Sequence, residues 1–124
     1  MTAQTLAMIY AALVALPLAM QLAVALGAPL GRFTVGGRFA GRLPPLWRGL
    51  AVVQAGLLAA MAAAVLDRGG VIALDLPPVA FWLALGMSIL TLLANAISPS
   101  RPERRLWTPV ALAMTATALG MTWL

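Results

Sequence analysis

Four stretches of the chain are almost free of polar side chains, at about 5–26, 48–66, 79–97 and 107–124. Each is close to the ~20 residues that cross the ~30 Å hydrocarbon core of a bilayer as a helix. An open sheet leaves its edge groups unsatisfied in lipid, so the pattern predicts helices and not strands. The expected fold class is all-α, a transmembrane four-helix bundle forming one integral membrane domain over 1–124, with connections of about 21, 12 and 9 residues. The first stretch, TLAMIYAALVALPLAMQLAVAL, lacks the basic segment of a secretory signal and exceeds the roughly 7–15 apolar residues of one, so it is read as a helix.

Prolines punctuate this pattern. Pro17 falls mid-span and predicts a kink, because it has no N–H to donate to the carbonyl of Leu13. Pro44 and Pro45 precede the second span, Pro77 and Pro78 the third, and Pro109 lies in the opening turns of the fourth, where a missing N–H costs little. Ser100 to Glu103 reads SRPE, the spacing of a capping box in which Ser100 accepts from the Glu103 N–H. The fourth helix is therefore expected to begin at the water interface and bend near Pro109.

The chain is 63% hydrophobic and 9% charged, with mean hydropathy +0.99, against about 45–50% apolar residues in a soluble domain. Lipid and neighbouring helices must be the solvent for most side chains. The formal charge is +5, which in a soluble protein would suggest nucleic acid; here the arginines gather between apolar runs, and no nucleic-acid partner is expected. Arg32, Arg38, Arg42 and Arg48 fall in or beside the first connection and Arg101, Arg104 and Arg105 in the third, with only Arg68 in the second. By the positive-inside rule the first and third connections are cytoplasmic and both termini lie on the non-cytoplasmic side of a bacterial cytoplasmic (inner) membrane.

Residues 31–42, GRFTVGGRFAGR, pose the sharpest question of chemistry. A Walker loop requires GxxxxGK[ST] and a dinucleotide loop GxGxxG in a βαβ unit, and the chain has neither. The stretch is read as a topogenic loop facing lipid headgroups, whose bare glycine N–H groups and arginines suit phosphate. A specific anionic ligand is the alternative. The seven arginines are the candidate lipid or anion contacts. Cysteine and histidine are absent, which excludes disulfides, thiolate chemistry, His-ligated metal or haem and His acid–base catalysis. No cofactor is expected and no metal: Asp67 and Asp75 are eight residues apart with no third ligand.

Small residues recur every four positions, as Ala7, Ala11, Ala15, Ala19 and Ala23, then Ala51, Ala55, Ala59 and Ala63, then Ala80, Ala84 and Ser88. Such ladders let helix backbones approach in lipid, where packing replaces the hydrophobic effect, although an alanine-rich composition also produces them by chance. Gln21, Gln54 and Asn95 interrupt the spans at similar depth, roughly 5–10 Å from the cytoplasmic ends at 1.5 Å per residue. They are expected to turn inward as a buried polar layer, with Thr108 and Thr115 completing it. Interhelical glue and a small polar pocket both fit. Trp47, Trp82, Trp107 and Trp123 lie near helix ends and read as interfacial anchors. Glu103, the only acid among seven arginines, is expected to pair across the loops with Arg32, Arg38, Arg42 or Arg48 unless it is spent on its own capping box.

GAP-x-G from Gly27, Gly36–Gly37, Leu43–Pro44 with Arg48, and N-x-x-S-x-S-x-x-E-R-x-x-x-x-P from Asn95 to Pro109 together resemble a group of uncharacterised small bacterial four-helix integral membrane proteins. Where such proteins often carry Trp after GAP, this chain has Leu30. The resemblance implies an integral membrane protein and no known activity. The expected role is a non-enzymatic structural or accessory membrane component whose arginine-rich loops contact anionic lipid or a protein partner, alone, as a homo-oligomer or within a larger complex. A small oligomeric channel or transporter is the alternative, and an enzyme built on Glu103, Tyr10 and the arginines comes third.

Overall fold

The computed structural model describes all 124 residues. Four helices form: α1 (Ala3–Ala25), α2 (Pro45–Arg68), α3 (Pro78–Ala96) and α4 (Arg101–Met121). Thr2 caps α1 by accepting from the Thr5 N–H at 3.1 Å. Pro45 and Pro78 open α2 and α3, where their fixed φ suits the first turn. Both α1 and α4 run on as single helices through Pro17 and Pro109; each proline removes one backbone bond without ending its helix.

Three helices, α1 to α3, are long and apolar enough to cross a membrane. The expectation of a fourth equal span over 107–124 needs correcting. Ser100 sets the start of α4 at Arg101, so the helix opens on the charged residues RPERR, and it stops at Met121. Its apolar part, 106–121, measures roughly 24 Å at 1.5 Å per residue, short of the ~30 Å hydrocarbon core.

The helices form a four-cornered bundle in which α1 packs most extensively on α2, α3 on α4, and α2–α3 share the thinnest contact of the neighbouring pairs. Arg48 reaches the Ala25 carbonyl, which puts the start of α2 beside the end of α1. Gly69 rests against Ala3 and Ala7 and near Met121. Successive helices therefore alternate in direction, with both termini and the second connection at one end and the first and third connections at the other.

Around Tyr10, Val14, Leu58, Met61, Phe81, Leu85 and Met114 the axis is filled. Tyr10 is fully buried on α1, and its hydroxyl lies 2.7 Å from the Ser88 hydroxyl on α3. Ser88 donates its one proton to the Ala84 carbonyl at 2.8 Å, so Tyr10 is the donor to Ser88. This bond crosses the diagonal of the bundle. Ser88 reads in the sequence only as a small residue for close approach; its hydroxyl is what α1 engages.

The alanine ladders hold only in part. Ala7, Ala51 and Ala55 are buried, while Ala15, Ala19 and Ala59 are exposed. Four residues advance an α-helix by roughly 400°, so a four-spaced row drifts by about 40° at each step and leaves the interface. The buried stripe of α2 instead follows Ala51, Ala55, Leu58, Met61, Ala64 and Val65, mixing steps of three and four.

Ala55→Leu is expected to lower the unfolding midpoint in detergent by overpacking worth about 1–3 kcal/mol, and Ala59→Leu to leave it unchanged. Tyr10→Phe removes one interhelical bond and should cost roughly 0.6 kcal/mol, at most about 1.7, measured by denaturant titration of the reconstituted bundle.

Candidate functional site

The first connection does not hang free; it folds back over one end of the bundle. The Gly31 N–H donates to the Gly41 carbonyl at 3.0 Å, closing 31–41 into a compact Ω-type loop. A Cβ at Gly31 would collide with the Phe39 and Gly41 carbonyl oxygens, so this crossing admits only glycine. At the loop's far side Val35, Gly36 and Gly37 have φ of 52°, 65° and 74°. Glycine adopts this left-handed geometry without penalty, but β-branched Val35 is strained in it. Gly37 also sits so close to Ser100 that a Cβ would lie 2.7 Å from the Ser100 Cβ.

Two hydrogen bonds fasten the loop to α4. The Ser100 hydroxyl donates to the Arg32 carbonyl at 2.6 Å, and the Trp107 indole N–H donates to the Phe33 carbonyl at 2.9 Å. Ser100 also accepts from the Glu103 N–H at 3.3 Å, one half of the expected capping box. The other half is replaced. Glu103 accepts from the Ser98 hydroxyl at 3.0 Å, and that hydroxyl accepts from the Ser100 N–H at 3.2 Å. The expected pairing of Glu103 with Arg32, Arg38, Arg42 or Arg48 does not form, because bonds to backbone carbonyls join the loops instead.

The arginines divide into two groups. Arg42 donates through Nε to the Gly27 carbonyl at 2.7 Å and Arg48 to the Ala25 carbonyl at 3.0 Å. These carbonyls mark the end of α1, whose last turn carries no basic residue of its own. Arg104 donates to the Ser98 carbonyl just past α3, at 2.7 Å. The second group, exposed and bonded to no carbonyl, is Arg32, Arg38, Arg101 and Arg105; Arg32 lies over Phe33 at 4.9 Å, and Arg38 over Phe39 and Trp47 at 5.6 and 5.4 Å.

Beneath the loop lies a cavity of about 300 Å³ reached by all four helices. Gln21, Gln54 and Asn95 all line it, as their common depth predicts, together with Thr34, Thr91 and Glu103. The amides do not bond to one another. Asn95 Nδ2 donates to the Thr91 carbonyl at 2.8 Å, while the Gln21 and Gln54 side chains make no hydrogen bond within the protein. Thr108 and Thr115 stand outside this layer, contrary to expectation; their hydroxyls are buried elsewhere on α4 without a partner. Thr91 was legible in principle, one turn before Asn95 on the same face of α3; Thr34 arrives from the loop and had no such signal. Glu103 is the one ionisable side chain on the cavity wall.

The tryptophans separate likewise. Trp82 and Trp123 are 50% and 76% exposed near the end that carries the termini, and Arg68 lies 5.9 Å from the Trp82 ring. Trp107 is buried, its N–H engaged by the loop, and Trp47 forms part of the cavity wall. In the second connection the Asp67 carboxylate accepts from the N–H groups of Leu74, Asp75 and Leu76 at 2.7–3.2 Å. No group of three metal-ligating acids, histidines or cysteines forms.

No family model matches the chain, and no curated protein or solved structure is significantly similar to it. What stands is a small four-helix protein with three long apolar helices. The residues behind the sequence resemblance acquire a local physical meaning, since Ser98, Ser100, Glu103 and Arg104 tie the end of α3 to the start of α4 and to the loop.

Gly31→Ala is expected to open the loop while leaving the four helices in place. Limited trypsin digestion should then cut after Arg38 and Arg42 much faster than in the parent chain, with unchanged far-ultraviolet circular dichroism. Trp107→Phe should have a milder effect in the same direction, the loss of one hydrogen bond worth about 1 kcal/mol.

Proposed function

We propose that the protein is a small non-enzymatic integral membrane component seated with its arginine-bearing end at the cytoplasmic face of a bacterial inner membrane, where it contacts anionic headgroups. The observation that carries this is the gathering of seven of the eight arginines at the end opposite the termini, four of them exposed and engaging no carbonyl. An arginine beside an anionic leaflet contributes about 1 kcal/mol. Arg42, Arg48 and Arg104 belong to the fold by contrast. Acid–base chemistry finds little support: Glu103 is held by Ser98, and Tyr10 is sealed in the core against Ser88. A channel or transporter finds an amide-lined cavity but no continuation, because Tyr10, Leu58, Phe81 and Met114 fill the axis below it; a conducting path would need a second copy.

The chain has no cysteine, so exposed Ala40 and Ala73 offer clean labelling sites in opposite connections. An impermeant outside maleimide is expected to label the Ala73→Cys variant and to spare Ala40→Cys; the reverse pattern would invert the orientation. Replacing Arg38, Arg101 and Arg105 together by Gln should weaken retention of anionic lipid by about fivefold per residue, the equivalent of ~1 kcal/mol each, with the unfolding midpoint preserved. Unchanged lipid retention in the folded triple variant would remove the headgroup role. Arg48→Gln should instead lower stability, by about 1 kcal/mol for a cation at a helix C-terminus.

A further inference from the structure

We propose that the cavity beneath the loop binds a neutral amphiphile, a hydroxyl-bearing head on an apolar chain as in a monoacylglycerol, which enters from the bilayer between α2 and α3. The proposal requires that the bundle lie in a membrane but not that either end face the cytoplasm, so it stands or falls apart from the headgroup role.

Size and lining come first. A volume of about 300 Å³ sits at the lower end of the ~300–1,000 Å³ range of small-molecule pockets, which are mostly apolar with a few placed polar groups. Of the 20 lining residues 13 are hydrophobic, enough to hold the head-proximal part of a chain. Gln21 and Gln54 each present a donor and an acceptor that no protein group satisfies. An amide at this depth needs a partner, and a hydroxyl, which both donates and accepts, matches it.

Charge selects a neutral head. No arginine lines the cavity, so an anion entering it would meet Glu103 without a counter-charge. A cation would sit at the end of the bundle that carries seven arginines, facing one carboxylate already bonded to Ser98.

The direction of entry follows from exposure. Phe33, Thr34 and Val35 roof the cavity on the loop side, held by the Trp107 bond. The two lining residues that are exposed are Leu50 on α2, at 46%, and Ala94 on α3. They flank the most thinly packed of the neighbouring helix pairs. Leu50 lies about five residues into α2 and Ala94 about two from the end of α3, roughly 3–8 Å along each helix at 1.5 Å per residue. That is the level at which the head of an amphiphile meets its chain.

The test is photo-crosslinking of the full chain in nanodiscs with a monoacylglycerol that carries a diazirine near its head. Adducts are expected within 50–58 and 91–95, displaced by unlabelled monoacylglycerol at about tenfold lower concentration than by a fatty acid or an alkyltrimethylammonium of the same chain length. Gln21→Leu with Gln54→Leu should reduce the adducts about tenfold without lowering the unfolding midpoint. Leu50→Trp, at an exposed position, should block the mouth to the same extent with the unfolding midpoint preserved, and carries the test if the double variant misfolds. Adducts spread over the outer helix faces without competition, a charged analogue competing equally well, or full adduct formation in Leu50→Trp would each overturn the proposal.

Discussion

A helix that stops near the edge of a bilayer leaves carbonyls that neither the helix nor lipid can satisfy, and at the end of α1 that demand is met from far along the chain. Arg42, fifteen residues beyond Gly27, and Arg48, twenty-three beyond Ala25, supply the donors. Much of the arginine-bearing end depends on these two bonds. They draw the start of α2 against the end of α1, which leaves the connection between them no room to extend. Residues 31–41 must then close on themselves, and the Arg32 and Phe33 carbonyls come down where Ser100 and Trp107 receive them. The roof of the cavity is thus a consequence of how α1 is finished.

The two ends of the bundle solve the same problem with opposite charge. At the arginine end, guanidinium groups donate to carbonyls past α1 and α3. At the other end, the single carboxylate of Asp67 accepts from three successive N–H groups and folds the second connection onto α2. The charge asymmetry of the sequence therefore has two sources. Part of it stays on exposed side chains that bond to no carbonyl, and part belongs to helix termination; only the hydrogen bonds distinguish Arg48 from Arg105.

What was legible in the sequence was what lipid itself dictates. Spans near the bilayer thickness and prolines at helix starts located α1, α2 and α3 to within about three residues at each end. Similar depth was enough to bring Gln21, Gln54 and Asn95 to one cavity. Face was harder than depth: Thr108 and Thr115 share α4 with Trp107 and Met114 but not their exposure to the cavity. The apolar pattern alone set the fourth span at 107 and so hid that the helix starts at Arg101, although the S-x-x-E spacing had already marked Ser100 as its cap. The bonds of Arg42 and Arg48 were hidden for a deeper reason. Their acceptors are backbone carbonyls, which have no identity in a sequence, whereas Glu103 was visible as an acid and attracted an ion pair that does not form. Tyr10 and Ser88 lie 78 positions apart in apolar runs, and no periodicity links two residues across a diagonal.

Val35 shows what this closure costs locally. A β-branched residue with positive φ is strained by roughly 1–3 kcal/mol and persists only where its surroundings over-determine it. Here they do: the flanking Thr34 N–H and Gly37 N–H are bonded within the loop, Gly37 is pressed on Ser100, and the Phe33 carbonyl is held by Trp107. Glycine at 35 would relieve the backbone, as it does at 36 and 37, but it would leave no side chain in the cavity roof, where Val35 is one of three loop residues. The strain is therefore linked to closing the cavity on the loop side, while its exposed lining remains at Leu50 and Ala94, between the two helices that pack least tightly. The same geometry that finishes α1 thus leaves the cavity accessible from the side of the bundle more than from its end.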